Sequence, residues 1–255
     1  MGTIVSVHSF RRGVGRTSLV ANLGIMLALE GYKVAVVDTD FQSPDLHISL
    51  GLKDKEISST LNSFIWYESN IPQTVYNVTR HLEIPPPGKL FVIPASPQAD
   101  QIVRMLNSHP NIERLNLGIS QLETNIEPDW ILLDSVSGLN EYTLNSIALS
   151  NILIILLRPD QQDYQGTAVT VEIARDLRVS RILMALNETP IGFDYEQAKQ
   201  ELTQTYKCEV GALLPHSVKL FALDDQPSRT KDSQKDPYKQ ELTKLLNHLT
   251  TDQMK

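Results

Sequence analysis

A glycine-containing loop between a strand-like segment and a helix-like segment constrains this chain more than any other feature of its sequence. The loop is SFRRGVGRTS, residues 9–18, with the apolar run 3–7 before it and a helical pattern at 19–30 after it. Its two glycines permit unusual dihedrals and close approach of an anion, while the helix N-terminus adds partial positive charge. The arrangement predicts a phosphate-binding loop at the front of an α/β fold.

The loop departs from the usual GxxxxGK[ST] pattern at two of its defining positions. Phe10 replaces the first glycine and Arg16 replaces the lysine, whereas Thr17 keeps the hydroxyl that can bind magnesium. Arginine can bind phosphate in a bidentate manner, but its larger planar group places the charge differently from lysine. The predicted nucleotide-binding residues of the loop are Arg12, Gly13, Val14, Gly15, Arg16, Thr17 and Ser18.

Carboxylates follow two further apolar runs. The run 33–37 is followed by Asp38 and Asp40, and the run 130–133 closes in Asp134, which is the Walker-B form. Carboxylates suit a hard cation or a positioned water at such strand ends. A second interpretation remains, in which the first pair of acids only solvates a turn.

Together the loop and these acids resemble the MinD/ParA family of deviant Walker-A ATPases, whose loop reads KGGxGK[ST]. Aligned on the glycines, Arg11 takes the place of the signature lysine, Arg12 that of a glycine and Arg16 that of the loop lysine. The resemblance implies ATP or ADP and Mg²⁺ as ligands. It also implies the following roles: Asp40, Arg11 and Arg16 in catalysis; Thr17, Asp38 and Asp134 at the metal; Asn187 and Pro215 at the base.

Two functions from different classes follow from the resemblance. The first is an ATP-dependent dimerising switch with slow, magnesium-dependent ATP hydrolysis, which positions or recruits a cargo through a protein partner or adaptor. The alternative is a catalytically impaired nucleotide-binding scaffold that acts as an interaction module. The reason for this alternative is the altered loop, in which Arg12 is bulky where the family has no side chain and Arg16 replaces lysine.

The order of the apolar segments predicts the fold class. Strand-like runs begin near residues 3, 34, 90, 130, 152, 182 and 210, and helical patterns alternate with them. This predicts a mostly parallel twisted sheet of about seven or eight strands with helices on both faces, of the P-loop NTPase type. The length of 255 residues fits one domain, 1–255, with a mobile loop near 224–237 and a C-terminal helix near 238–250.

Charge and tail composition bear on the partners. The net charge of -7 opposes polyanion binding overall, although Arg175, Arg178 and Arg181 leave non-specific DNA binding open. The leucines near the C-terminus form one narrow stripe, which predicts packing on the body of the protein rather than on a membrane. No apolar run reaches membrane-spanning length and the single cysteine is Cys208, so we expect a cytoplasmic protein.

Overall fold

The structure is a computed structural model that describes residues 2–107, 111–190, 192–217 and 236–251. Within these residues eight strands form one sheet in the order β3-β4-β2-β5-β1-β6-β7-β8, and every neighbouring pair is parallel except β3 with β4. The strands are β1 (Thr3–His8), β2 (Lys33–Asp38), β3 (Tyr76–Asn77), β4 (Lys89–Ile93), β5 (Trp130–Asp134), β6 (Ile152–Leu157), β7 (Arg181–Thr189) and β8 (Glu209–Pro215).

Helices connect the parallel strands, as crossover connections require. They are α1 (Arg16–Leu29), α2 (Leu46–Ser49), α3 (Leu61–Ile65), α4 (Ala99–Asn107), α5 (Ile112–Ile126), α6 (Glu141–Leu149), α7 (Gln161–Asp176), α8 (Tyr195–Tyr206) and α9 (Pro237–Thr250). Two 3₁₀ turns, Asp54–Glu56 and Ile71–Thr74, lie before and after α3.

The sheet is buried on both faces. Successive residues of a strand point to opposite faces, and β2 shows this clearly. Val34 and Val36 pack into a core with α1, α2 and α9, whereas Ala35 and Val37 pack into a second core with α3 and α5. Helices α7 and α8 cover β6 and β7 in a third cluster. The predicted fold class is confirmed.

Helix α9 closes one face of the sheet. Asp236 caps its first turn by accepting a hydrogen bond from the backbone N–H of Tyr238, and Pro237 occupies the first helical position. Its buried leucines belong to the same core as α1; they are Leu242, Leu245, Leu246 and Leu249. The stripe therefore packs on the body of the protein, as predicted. Most of the predicted mobile loop, residues 224–235, lies outside the described residues.

The strand order brings the chemistry-bearing residues to one edge. β1 lies between β5 and β6, and β5 also pairs with β2, so that Asp38 is directly opposite Asp134 in the register. The loop after β1 leaves the sheet at this same carboxyl edge. The ends of the central strands are the usual place for a ligand in such sheets. None of the helices in the described part of the chain combines the length and the apolar character needed to cross a membrane.

Candidate functional site

The glycines shape the loop between β1 and α1. Gly13 has φ 73° and Gly15 has φ 98°, both in the left-handed region that favours glycine. Gly15 directly precedes α1, and no side chain caps that helix, so its first N–H groups are available to an anion. A Cβ at position 15 would also lie 2.7 Å from the amide nitrogen of Asn187. Both the backbone and its surroundings therefore require glycine at this position.

Arg16 lies inside the site rather than in solvent. Its Nη1 donates to Ser9 Oγ at 2.6 Å, and its Nη2 donates to Asp40 Oδ2 at 3.1 Å. Its Nε is 3.9 Å from Asp134 Oδ1, and only 7% of the side chain is exposed. One guanidinium thus joins the loop to the acids that follow β2 and β5.

Two carboxylates, Asp40 and Asp134, lie beside this guanidinium, and Asp38 is opposite Asp134 in the sheet. Asp38 is fully buried and accepts hydrogen bonds from the backbone N–H groups of Asp40 and Leu46, at 3.0 and 3.4 Å. Asp40 accepts from the backbone of the turn that follows it, with Gln42 at 3.2 Å and Ser43 at 3.1 Å. Both carboxylate oxygens of Asp134 are buried and lack a hydrogen bond of ordinary geometry within the described residues. Both oxygens of Asp134 are therefore able to bind a further ligand.

Burial and mutual repulsion raise the pKa values of two of these acids above that of an ordinary aspartate. Burial raises the pKa of Asp134 to about 7, and Arg16 and Thr17 oppose the shift. The pKa of Asp38 is raised well above its usual value by burial first and by the charges of Asp134 and Asp40 next. Such acids gain most from a bound cation, because a cation compensates their buried charge.

The donor set fits a magnesium ion that completes its shell with other oxygens. Among the described residues no group of three or more His, Cys, Asp or Glu side chains is arranged as a complete metal site. Asp38 and Asp134 supply hard oxygen donors, and Thr17 begins the adjacent helix with a hydroxyl. Mg²⁺ is usually bound in this way, by one or two carboxylates with waters and phosphate oxygens.

Arg11, which the resemblance places at the signature lysine, is held by helix α7. Its Nη1 is 2.9 Å from Asp160 Oδ2, and its Nε is 3.7 Å from Asp163 Oδ1. Separately, Arg158 donates a hydrogen bond from its Nη2 to the carbonyl of Gly13 in the phosphate loop. The structure therefore places Arg11 beside the phosphate loop and turned toward the start of α7.

Two features of the site escaped the sequence interpretation. Arg12 reaches across to the turn after β2 and donates from Nη2 to Gln42 Oε1 at 2.7 Å. Phe10 packs against α7 at Gly166, where any Cβ would overlap the Phe10 ring at 2.1 Å. Only the glycine at 166 could have signalled the second contact, because a glycine inside a helix often marks close packing.

The two residues predicted at the nucleotide base, Asn187 and Pro215, lie differently with respect to the phosphate loop. Asn187 donates from its amide nitrogen to the carbonyl of Val14 at 2.7 Å, and its Oδ1 is buried without a partner in the described chain. Val14 is itself 2% exposed, and Ser18 lies in the first turn of α1. Pro215 ends the edge strand β8, where it pairs with Thr189 rather than with the loop. The structure joins Asn187 to the phosphate loop and leaves Pro215 outside it.

Two of the three arginines considered for DNA bind neighbouring elements. Arg175 donates to the carbonyls of Tyr206 and Lys207, in the second case at 3.4 Å. Arg181 forms an ion pair with Glu209 at 2.6 Å and donates to the carbonyl of His248, also at 2.6 Å. Two of the three guanidinium groups are thus engaged by neighbouring elements, and non-specific DNA binding stays an untested prediction.

Comparisons with known proteins agree with this geometry. The AAA_31 family model, described as an AAA domain, matches residues 2–184. The septum site-determining protein MinD of Thermotoga maritima is 28% identical over 160 residues, which cover 63% of this chain and 54% of MinD. The sporulation initiation inhibitor protein Soj of Bacillus subtilis is 23% identical over 243 residues, which cover 91% of this chain and 90% of Soj.

A solved structure extends the likeness over almost the whole chain. The septum site-determining protein MinD from Pyrococcus horikoshii, in complex with Mg-ADP, superposes with a TM-score of 0.78. The alignment covers 98% of this chain and 96% of that one at 20% sequence identity. At that identity the likeness establishes the fold alone.

Proposed function

The chain belongs to the MinD/ParA family of P-loop ATPases, as its match to the AAA_31 domain model shows, and we propose from this premise that it is an ATP-dependent molecular switch. The observation that carries the proposal is the pairing of Asp38 and Asp134 beside the glycine loop. These two buried acids have raised pKa values, and Asp134 interacts with Thr17; a magnesium ion there would stabilise the ionised forms of both acids.

The nucleotide enters at the start of α1. Backbone N–H groups from Gly13 to Thr17 bind the phosphates, with the helix N-terminus adding favourable charge. Thr17, Asp38 and Asp134 hold Mg²⁺, whose chemistry is to neutralise charge on the phosphate oxygens. Asn187 is held against the loop by its amide nitrogen, which leaves its unpartnered Oδ1 to accept a hydrogen bond from the base.

Arg16 changes partners when phosphate arrives. Its guanidinium is paired with Asp40. Phosphate oxygens compete for the same N–H donors, and a phosphate carries more charge than a carboxylate. Asp40 is then free to orient the water that attacks the terminal phosphate. Hydrolysis is slow because the planar guanidinium is less well placed than lysine for the transition state.

Dimerisation converts nucleotide binding into a signal. Arg11 leaves Asp160 and Asp163 and reaches the phosphates of a second copy, so that two chains close around two nucleotides. The ATP-bound dimer then recruits a protein partner or cargo adaptor. The relatives include a septum site-determining protein and a sporulation initiation inhibitor, which supports a role in positioning or partitioning within the cell.

Sedimentation of a hydrolysis-deficient variant tests the switch. Asp40→Ala should keep ATP bound, and its mass should double with saturating Mg-ATP but not with Mg-ADP. Asp176→Ala, an exposed acid on α7, is the matched control and should behave as the wild type. An unchanged monomeric mass with Mg-ATP, at a concentration that saturates binding, would rule out the switch. Phosphate release no faster from wild type than from Asp40→Ala would instead favour the impaired scaffold.

A further inference from the structure

An arginine contacts two aromatic rings on the face of the sheet that carries α3 and α5. The guanidinium carbon of Arg114 lies 4.1 Å from the ring centre of Phe64 and 4.2 Å from that of Tyr67. Its Nε donates to the carbonyl of Phe64 at 3.2 Å. Its terminal nitrogens form no hydrogen bond to any group in the described part of the chain. The guanidinium of Arg114 is therefore held in a fixed orientation, and its terminal N–H groups remain without a hydrogen-bond partner in the described part of the chain.

Tyr67 adopts a backbone conformation that a glycine would adopt with less strain. It follows α3 with φ 63°, in the left-handed region, and its N–H bonds to the Phe64 carbonyl at 3.0 Å. Glycine is the favoured residue at such a helix end, because a Cβ is strained there. The tyrosine is nevertheless 68% exposed, so burial of its ring does not offset the strain. The ring instead contacts the guanidinium of Arg114 and faces solvent.

The neighbouring groups extend this surface. Arg104 lies over the ring of Trp66 at 4.4 Å, and its charge is balanced by Glu68 at 2.5 Å. The same helix, α4, leaves two apolar side chains in solvent, with Val103 53% and Leu106 57% exposed. We call Trp66, Tyr67, Arg104 and Arg114 the arginine–aromatic surface; Phe64 lies beneath it and is 1% exposed.

We propose that the arginine–aromatic surface is the docking site for a segment of a partner protein that presents a carboxylate between apolar side chains. Arg104 is paired with the carboxylate of Glu68, whereas Arg114 has no carboxylate partner among the residues that the structure describes, so the surface accepts one further negative group. Tryptophan, tyrosine and arginine are the residues that most often dominate protein–protein binding energy. A nucleic acid fits less well, because the chain carries a net charge of -7 and Glu68 lies within the surface. This site is separate from the nucleotide loop and does not depend on the proposed switch.

Selection of displayed peptides tests the site. A random peptide library on phage is panned against the full-length wild-type protein, with counter-selection against Arg114→Gln. The best peptide is synthesised, together with a version in which glutamine and asparagine replace its acids. Affinities are measured for wild type, Arg114→Gln, Tyr67→Gly and the control Arg80→Gln, whose arginine is exposed outside this surface. Thermal unfolding shows which variants are folded.

The selected peptides should share an acidic residue flanked by apolar ones. Arg114→Gln and Tyr67→Gly should each weaken binding by about tenfold or more, as expected of hot-spot residues, and Arg80→Gln should not. The melting temperature of Tyr67→Gly should be at least that of wild type, since glycine relieves the strain. If Arg114→Gln fails to fold, the affinity of Tyr67→Gly alone decides the test. The proposal is overturned if no peptide distinguishes wild type from a folded variant, if the selected peptides are basic, or if the neutralised peptide binds equally well. Displacement of the peptide by a single-stranded oligothymidine would overturn it too.

Discussion

At the scale of single residues, Arg16 does what a lysine could not do in the same place. Its guanidinium donates to Ser9 in the loop and to Asp40 beyond β2 at the same time, and it approaches Asp134 as well. A lysine has one nitrogen on a flexible stem and would satisfy fewer of these groups. The arginine therefore fits this arrangement of the acids better than the family's lysine would.

Arg16→Lys should destabilise the nucleotide-free protein. The substitution keeps the charge but loses at least one buried hydrogen bond, which is worth about 1–2 kcal/mol of unfolding free energy. Urea denaturation in the presence of a chelator measures the change. Arg80→Lys, at an exposed position, is the control and should have no measurable effect. A variant as stable as wild type would mean that the Arg16 contacts do not stabilise the folded protein.

His8 gives the protein a defined acid sensitivity. The residue is fully buried, and its Nδ1 is 3.3 Å from Ser135 Oγ. Burial, with help from the positive charge of Arg16, lowers the pKa of His8 from 6.5 to about 3. Between these values the unfolded chain binds a proton at this residue and the folded chain does not. The contribution of His8 to stability therefore falls as the pH decreases from 6.5 toward 3, whereas the raised pKa values of Asp38 and Asp134 act in the opposite direction.

His8→Asn should flatten this pH dependence. One proton bound only by the unfolded state changes the unfolding free energy by about 1.4 kcal/mol per pH unit. The variant should lose that part of the slope below pH 6.5, whatever its stability at neutral pH. Urea titrations at several pH values give the slope, and the exposed His81→Asn serves as control. Parallel curves for wild type and His8→Asn would contradict the buried, neutral state of His8.

At the scale of elements, the contact between α9 and β8 fixes the C-terminal part of the chain to the sheet. Leu245 is fully buried, and a Cβ at Gly211 of β8 would lie 2.6 Å from its Cδ1. The glycine lets the helix approach the strand closely. The leucine stripe is thus a core feature, and its burial excludes the same side chains from a lipid surface.

Leu245→Ala should cost about 3 kcal/mol of unfolding free energy, because it removes buried methyl groups and leaves a cavity. The matched control is Leu144→Ala on α6, where the side chain is 36% exposed and the cost should stay near 1 kcal/mol or below. Chemical denaturation measures both. Equal costs for the two variants would show that α9 does not pack on the sheet as described.

Element positions were predictable where hydrophobic runs were long. All seven predicted runs became strands, since each has enough apolar residues to show its pattern. Strand β3 was missed because its two residues, Tyr76 and Asn77, are too few to show one. At the site, the glycines and strand-end acids were located from the sequence, because parallel strands bring their carboxyl ends to one edge. The partners of Arg11, Arg12 and Arg16 were not, because a flexible arginine can reach residues distant in sequence in many rotamers.

At the scale of the whole molecule, strand order converts distant segments into one site. Residues near positions 8, 38 and 134 meet only because β1 and β2 both pair with β5. The arrangement leaves a cluster of buried acids with raised pKa values, compensated in part by one arginine. A fold with this edge is prepared for a cation and an anion together, and Mg-ATP supplies both.

Calorimetric titration of the wild-type protein with ATP, with and without magnesium, tests this conclusion most directly. We predict binding that requires Mg²⁺, is abolished or greatly weakened in Asp134→Asn, and is retained in the control Asp176→Asn. An absence of binding, verified by a fluorescent ATP analogue, would contradict the proposed site. So would binding of equal strength with and without magnesium, or binding that Asp134→Asn leaves unchanged.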